Sequence, residues 1–484
     1  MGAIMKLKIL AIFAIAFSSN SYAVSPNTPA NIEIFISGSD SYDERIGYFL
    51  EQNLCKEDFD TFLDSKSMQL GLNGFSWYGE AGENYRSWSC IVDEEKVSGA
   101  DPGDVLLIHK NSTGESGFGV FSVVHQNEIE RIDLQNAYCE EVSAGEWKCT
   151  QITVNDTPLL GVSDIEPAVF KGPNRVTAFG DIKDNDLDKL TINTQSQQVS
   201  GVIVTTELRN TLQLAQGLVV GEEDEANMPS LSTNLVRSLF TGQVNSWFDV
   251  VDPSGTDLFT LASENIPVSD TVGLCVRKPG SSARAQFTIS FLKTYCSDIS
   301  VYPYMIEGEE WPLLQSNSDS DEMDDCVADI GGDGELQWAI GYQSTEKNMD
   351  LSRNYRFIKI DGAAPTLQNV ANDKYQYWFE QTIQYNKQEY MLADIAAQKV
   401  IDLIIEEAGQ PSIISGLNAK YEHPWGQGGY MSKPTDRFGV QPPAFPFDTS
   451  YPVNRTTRSP AGFSIDSCRL PVHVNGAWPG AVGF

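Results

Sequence analysis

VGLCVRKPGSSARAQF, residues 272–287, is the stretch on which the reading of this chain turns. Val272, Leu274, Cys275 and Val276 make a buried-looking strand, Arg277 ends it, Gly280-Ser281-Ser282 turns, and a helix opens near Ala283. A helix that starts there aims its free N–H groups and partial positive charge at the strand's end. Glycine lets the backbone approach a ligand, serine hydroxyls add donors, and the planar fork of Arg277 can hold two oxygens of one tetrahedral anion. Taken singly, the same residues describe an ordinary helix N-cap beside a surface arginine.

Working outward, two further junctions have the same composition. The apolar strand NIEIFISGS (31–39) runs into Ser37-Gly38-Ser39-Asp40-Ser41-Tyr42, and DVLLIHK (104–110) runs into Asn111-Ser112-Thr113-Gly114-Glu115-Ser116-Gly117. Three such junctions in one chain favour an anion cradle over coincidence. Asp164, in GVSDIEP (161–167), completes the set. A carboxylate repels an anion unless the anion carries a proton. A protonated phosphate can donate its O–H to Asp164, whereas sulfate offers no donor.

Between these points FSVVHQ (121–126), IERIDL (129–134), WAIGYQS (338–344) and YRFIKIDG (355–362) read as strands, and VSGVIVTTEL (199–208) as a strand leading into a helix. NLVRSLFTGQVNSWFDV (234–250) reads as an amphipathic helix with a Trp-containing cap, and YMLADIAAQKVIDLIIEEAG (390–409) as one periodic helix closed by Gly409. Strands alternating with helices predict an α/β fold with mostly parallel sheets. SNSDSDEMDD (316–325) reads as an acidic loop without an apolar face, and the tail after about residue 416 as irregular structure wrapped on the surface.

The N-terminus has the features of an export signal: Lys6 and Lys8, a short apolar run over 9–17, and small residues at Ser21 and Ala23, so residues 1–23 are expected to be removed. No later run is long enough for a membrane helix, and a periplasmic or extracellular location without membrane insertion follows. The eight cysteines are Cys55, Cys90, Cys139, Cys149, Cys275, Cys296, Cys326 and Cys468. None forms a CxxC pair, so disulfides are expected rather than zinc. Proximity pairs Cys139 with Cys149, Cys55 with Cys90 and Cys275 with Cys296, leaving Cys326 for Cys468. A net charge of −33 argues against nucleic acid as a partner, and an anion site must then work through local hydrogen bonds. The four histidines (His109, His125, His423 and His473) show no metal or triad spacing, and Asp184-Asn185-Asp186-Leu187-Asp188 lacks the glycine and terminal Glu of a calcium loop. No metal, cofactor or catalytic residue is expected.

These motifs, in this order, resemble the phosphate-binding subunits of phosphate ABC transporters, members of the type II periplasmic-binding-protein superfamily. GVSDIEP is similar to their GxSDxP segment, VRKPGSSARAQF to their Arg-xx-Gly-Ser-Gly-Thr anion site, LVRSLFTGQVNSWFDV to a segment with a Trp-x-Asp end, and WAIGYQS to an Ala-Ile-Gly-Tyr return strand. The resemblance runs from about residue 160 to 345. It departs at Ser282-Ala283, which stand where the family has Gly-Thr, with Arg284 as an extra cation; it also departs in the lengthened N-terminal region and in the tail.

The resemblance implies a two-lobe α/β protein that closes on phosphate or a similar oxyanion and hands it to an ABC transporter permease. Lobe 1 would span 24–200 and 345–415, lobe 2 would span 201–344, and 416–484 would be an extension. Asp164 would accept the phosphate O–H and Arg277 would clamp the anion. Ser281, with the amides of Ser282 and Ala283, would donate from lobe 2; Ser39, Ser41, Tyr42, Ser112 and Thr113 would donate from lobe 1. The competing reading is an extracellular structural or adhesive protein that reuses the fold with altered or lost ligand binding.

Overall fold

The computed structural model describes residues 26, 28–65, 67–71, 74–78, 81–262, 266–293, 313–332, 334–434, 446–460 and 462–474, those at 67–78 for their backbone alone. The expected export signal lies outside the described residues. The strands that build the frame are, in chain order, β1 (Ile32–Gly38), β2 (Cys55–Ser65), β3 (Tyr85–Val92), β4 (Val105–Asn111), β5 (Leu160–Ser163), β6 (Leu190–Thr205), β7 (Gly273–Arg277), β8 (Leu313–Asn317), β9 (Ala339–Ser344), β10 (Tyr355–Ile360) and β11 (Trp378–Asn386). The helices that bear on the site are α1 (Asp43–Phe49), α2 (Glu115–His125), α3 (Ser282–Phe287) and α4 (Ser320–Ala328), followed by α5 (Lys387–Leu392) and α6 (Ile395–Glu407).

One strand pattern occurs twice. The first lobe has the order β4-β1-β5-β11-β6, with β1 parallel to β4 and β5, and β11 antiparallel to its neighbours. The second lobe has β8-β7-β9-β6-β10, with β7 parallel to β8 and β9, and β6 antiparallel to β9 and β10. In each lobe the first strand is central, the next pairs on one side, the third on the other, and a strand arriving from the opposite lobe lies antiparallel beyond it. This is the two-lobe type II periplasmic-binding-protein fold. β6 joins the lobes directly: residues 190–199 pair with β11, and residues 200–205 pair with β9 and β10.

Reversal of sheet growth beside the first strand leaves a crevice at the strands' carboxyl ends, where open α/β sheets bind ligands. Here the two crevices face each other. One is bounded by the ends of β1 and β5, the other by the ends of β7 and β9.

Packing explains why the first crevice is firm. Ile34, Ile36, Leu106, Ile108, Leu160 and Val162 are buried in one cluster with Val400, Ile401 and Ile404 of α6. Each such side chain contributes roughly 1.5–3 kcal/mol by leaving water. On the other face α2 lies almost directly on the sheet. A Cβ on Gly161 would stand 1.7 Å from the Gly119 carbonyl oxygen, and one on Gly119 would stand 2.3 Å from that of Val162. Gly38, with φ +118°, turns the chain out of β1 at the same contact.

The structure departs from the sequence expectations in several places. FSVVHQ belongs to α2, not to a strand, because the glycine contact seats this segment as a helix on the sheet. The acidic stretch 316–325 ends β8 and begins α4; Asp319 caps the helix, and Met323, Cys326 and Val327 bury its inner face. The segment 390–409 is broken between α5 and α6 at Ala393-Asp394, where the backbone is extended. β10 pairs with β6 in the second lobe's sheet, so the chain returns to the first lobe at Trp378 of β11 and not at residue 345. Part of the tail is buried rather than superficial: residues 453–457 are enclosed beside β6 and β11, with Asn454 bonded to Gln197 and Thr457 to Glu380.

The insertions that lengthen the first lobe extend its sheet beyond β4 through β3 and β2. Cys55–Cys90 and Cys139–Cys149 close within them. The expected Cys275–Cys296 pair is corrected: Cys275, on β7, is bonded to Cys326, on α4, which packs against that strand. Cys326 is therefore not the partner of Cys468, which is disulfide-bonded elsewhere, and Cys296 lies outside the described residues.

Candidate functional site

At the end of β5 the Asp164 carboxylate is the hub of the crevice. Its Oδ2 accepts hydrogen bonds from Ser39 Oγ and, at 3.1 Å, from Ser282 Oγ across the cleft. Its Oδ1 accepts from Ser41 Oγ and, at 2.7 Å, from Gln381 Nε2. A carboxylate offers about four lone-pair sites, and here four side chains meet them. Gln286 of α3 adds a bond to the Asp164 carbonyl at 2.8 Å, so both lobes hold this residue.

A buried cation stands behind the hub. Arg45 donates to the Gln381 side-chain oxygen and to Ser196. Its guanidinium lies between the rings of Tyr42 and Tyr430, at 4.7 and 4.5 Å from their centroids. Gln381 thus links Arg45 to Asp164 through the two ends of its amide, without lining the small cavity.

Opposite, β7 delivers Arg277. Its guanidinium pairs with Glu115, the first residue of α2, and reaches Ser320 Oγ at 3.4 Å and the Ser318 carbonyl at 3.2 Å. Its Nε is buried without a partner. Burial lowers the pKa of the Arg277 guanidinium, with Asp40 acting against that. Asp40 itself reaches solvent between the lobes. Burial works against its ionisation, but Lys347, Arg277 and Lys110 outweigh that and hold its carboxyl below the usual range.

Ser39, Asp164, Arg277, Ser282 and Ala283 line one small interlobe cavity of about 20 Å³, with Glu115 in its wall. That is room for about one water. The Glu115 carboxylate on Arg277 takes up the rest of the space at that end. Beside it lies a larger cavity of about 390 Å³, to which Ser112, Thr113 and Ser281 belong.

The expected residues therefore divide. Ser39, Asp164, Arg277, Ser282 and Ala283 come together in the small cavity, and Ser41 meets them through Asp164. Ser112 donates to Asp43 and accepts from Lys110 at 2.8 Å, and Thr113 is bonded to Asn111, so their hydroxyls are engaged away from Arg277. Tyr42 is corrected: it is fully buried, its hydroxyl donates to the Thr382 carbonyl at 3.2 Å, and it faces the core under Arg45. Arg284 turns back to the Arg277 carbonyl at 2.9 Å and adds no charge to the cavity. Gln381, Gln286, Tyr342 and the plugging role of Glu115 were not anticipated. Gln286 and Tyr342, whose hydroxyl accepts from the Arg277 N–H at 2.9 Å, lie inside the stretches 272–287 and 338–344, whereas Gln381 sits on β11, which only the fold brings near.

No protein-family model matches the chain, and no curated protein matches it. Among solved structures it is similar to a protein from Clostridium perfringens described as a phosphate ABC transporter substrate-binding protein with bound phosphate, at 14% identity over 80% of this chain and 98% of that one, with a TM-score of 0.42. It is also similar to an ABC-type phosphate transport receptor from Vibrio cholerae, at 11% identity over 77% and 97% of the two chains (TM-score 0.34), and to PstS from Borrelia burgdorferi, at 9% over 80% and 96% (TM-score 0.33). No described helix is long and apolar enough to cross a membrane.

Proposed function

We propose that this chain is an exported solute-binding protein that captures phosphate or a similar oxyanion between its lobes and passes it to an ABC transporter permease. The observation that carries the reading is the convergence of Arg277, Ser282, Ser39 and Asp164, from four strand ends and helix starts in opposite lobes, on one cavity. A fork of N–H donors, two hydroxyls and one acceptor is the donor–acceptor set of a singly protonated tetrahedral anion. The Glu115 carboxylate on Arg277 is itself an oxyanion in that place. Binding would exchange it for the ligand, and no chemistry on the ligand is involved.

The experiment is calorimetric titration of refolded, ligand-stripped mature protein with phosphate, and with sulfate as competitor. Saturable phosphate binding that sulfate displaces poorly is the expected result; absence of binding by both anions overturns the reading. One observation favours the second reading, a structural or adhesive protein with lost ligand binding: four side-chain donors already fill the lone-pair sites of Asp164 and leave it none for a ligand O–H.

A further inference from the structure

The larger cavity beside Arg277 has the wrong charge for an anion alone. Its 390 Å³ share Asp40, Glu115 and Ser320 with the small cavity, so the two adjoin. Asp40, Glu83, Glu115, Asp319 and Asp321 line it together with one cation, Lys278, which is bonded to Ser318; of the five acids, Glu115 is paired with Arg277 and Asp321 with Lys347 at 3.9 Å. Asp40 makes no ion pair among the described residues. A second, independent observation points to an occupant: Ser281 Oγ, only 4% exposed, lines this cavity and has no hydrogen-bond partner. A buried hydroxyl left unpaired is costly unless something meets it. Among the described residues no three carboxylate, His or Cys groups converge closely enough to hold a metal ion. The acidic side chains are spread around a volume, which suits an organic cation with several N–H donors. Phe118 and Pro279 supply apolar wall for the carbon between the two charges.

We propose that the ligand is a small phosphoester or phosphonate carrying a protonated amine. Its oxyanion end sits at Arg277 and Ser282, and its ammonium lies among the carboxylates around Asp40, with Ser281 Oγ completing the hydrogen bonding. The inference rests on the oxyanion reading above and adds the other half of the molecule.

The test is calorimetry on the refolded, ligand-stripped mature chain with four probes: phosphoethanolamine, 2-aminoethylphosphonate, ethyl phosphate and inorganic phosphate. The amine-bearing pair is expected to bind at least about tenfold tighter than ethyl phosphate, and Asp40→Asn to narrow that preference to roughly threefold. Ethyl phosphate or inorganic phosphate binding as tightly as the amines overturns this inference and leaves the oxyanion site standing. A preference undiminished in Asp40→Asn also overturns it, because the amine then meets something else. Binding of none of the four overturns the oxyanion reading and this inference together.

Discussion

The carboxylate of Glu115, at the start of α2 in the first lobe, lies against the guanidinium of Arg277, at the end of β7 in the second. The pair bridges the cleft at the point where the proposed anion would bind, so ligand and Glu115 compete for one cation. Glu115→Gln removes the competitor's charge and should tighten oxyanion binding about tenfold, near 1.4 kcal/mol. Calorimetry on the variant checks it, and unchanged or weaker binding would show that Glu115 does not stand in the anion's place.

Arg277→Ala should have the opposite effect. An anion left in the cleft without its cation loses roughly 2–5 kcal/mol of binding. Circular dichroism should show the fold intact, because Cys275–Cys326 and β7 do not depend on the guanidinium. Retained affinity would place the anion elsewhere.

Asp164→Asn tests two properties at once. Gln381 would then have an amide N–H₂ or a single carbonyl to face where it now meets a carboxylate, with Arg45 behind it. Loss of the buried charge from this network should lower stability by about 2–4 kcal/mol. The preference for phosphate over sulfate should shrink as well, since the new amide can donate to a sulfate oxygen. Thermal melts and sulfate competition read the two effects separately; an unaltered preference would remove Asp164 from the selectivity argument.

Glu166 makes stability depend on pH. Burial pushes its carboxyl from 4.5 up to about 7, while the Ser467 N–H, at 2.7 Å, favours the ionised form. Below about 4.5 both folded and unfolded chains hold the proton. Between there and about 7 the folded chain holds it and the unfolded chain does not, so stability falls as pH rises, by about 3 kcal/mol over the window. Above 7 the contribution is flat. Denaturant midpoints from pH 4.5 to 8 should show the decline, and Glu166→Gln should flatten it.

Peptide mapping without reduction should return Cys275 joined to Cys326, with a sequence separation of 51. Cys326→Ser should cost about 4 kcal/mol on the chain-entropy view of a loop of that length. Recovery of Cys275 joined to Cys296 would contradict the fold of α4 on β7.

What the sequence disclosed was local. Arg277, Ser282, Ser39 and Asp164 could be picked out because each ends a strand or begins a helix, and glycine and serine mark those ends. Gln381 could not: its partner Asp164 lies 217 residues away, and nothing near it in WFEQTIQYN distinguishes it from its neighbours. Tyr42 stands among donor residues, yet the start of α1 turns its ring inward to Arg45. The β-branched run in α2 suggested a strand by propensity; contact between backbones at Gly119 and Gly161, invisible along the chain, overrode it. The acidic stretch 316–325 concealed a helix because Met323 is the one apolar side chain in that window, and the rest of the buried face, Cys326 and Val327, lies beyond it.

β6 belongs to both sheets without interruption, sixteen residues from Leu190 to Thr205. At about 3.3 Å per residue it is a beam some 50 Å long. The lobes therefore cannot swing apart about a slack tether at this crossing. Parting them has to flex a hydrogen-bonded ribbon near Val199-Ser200, which stores elastic energy and returns it on release. The crossing is thus a bending element and not a free joint.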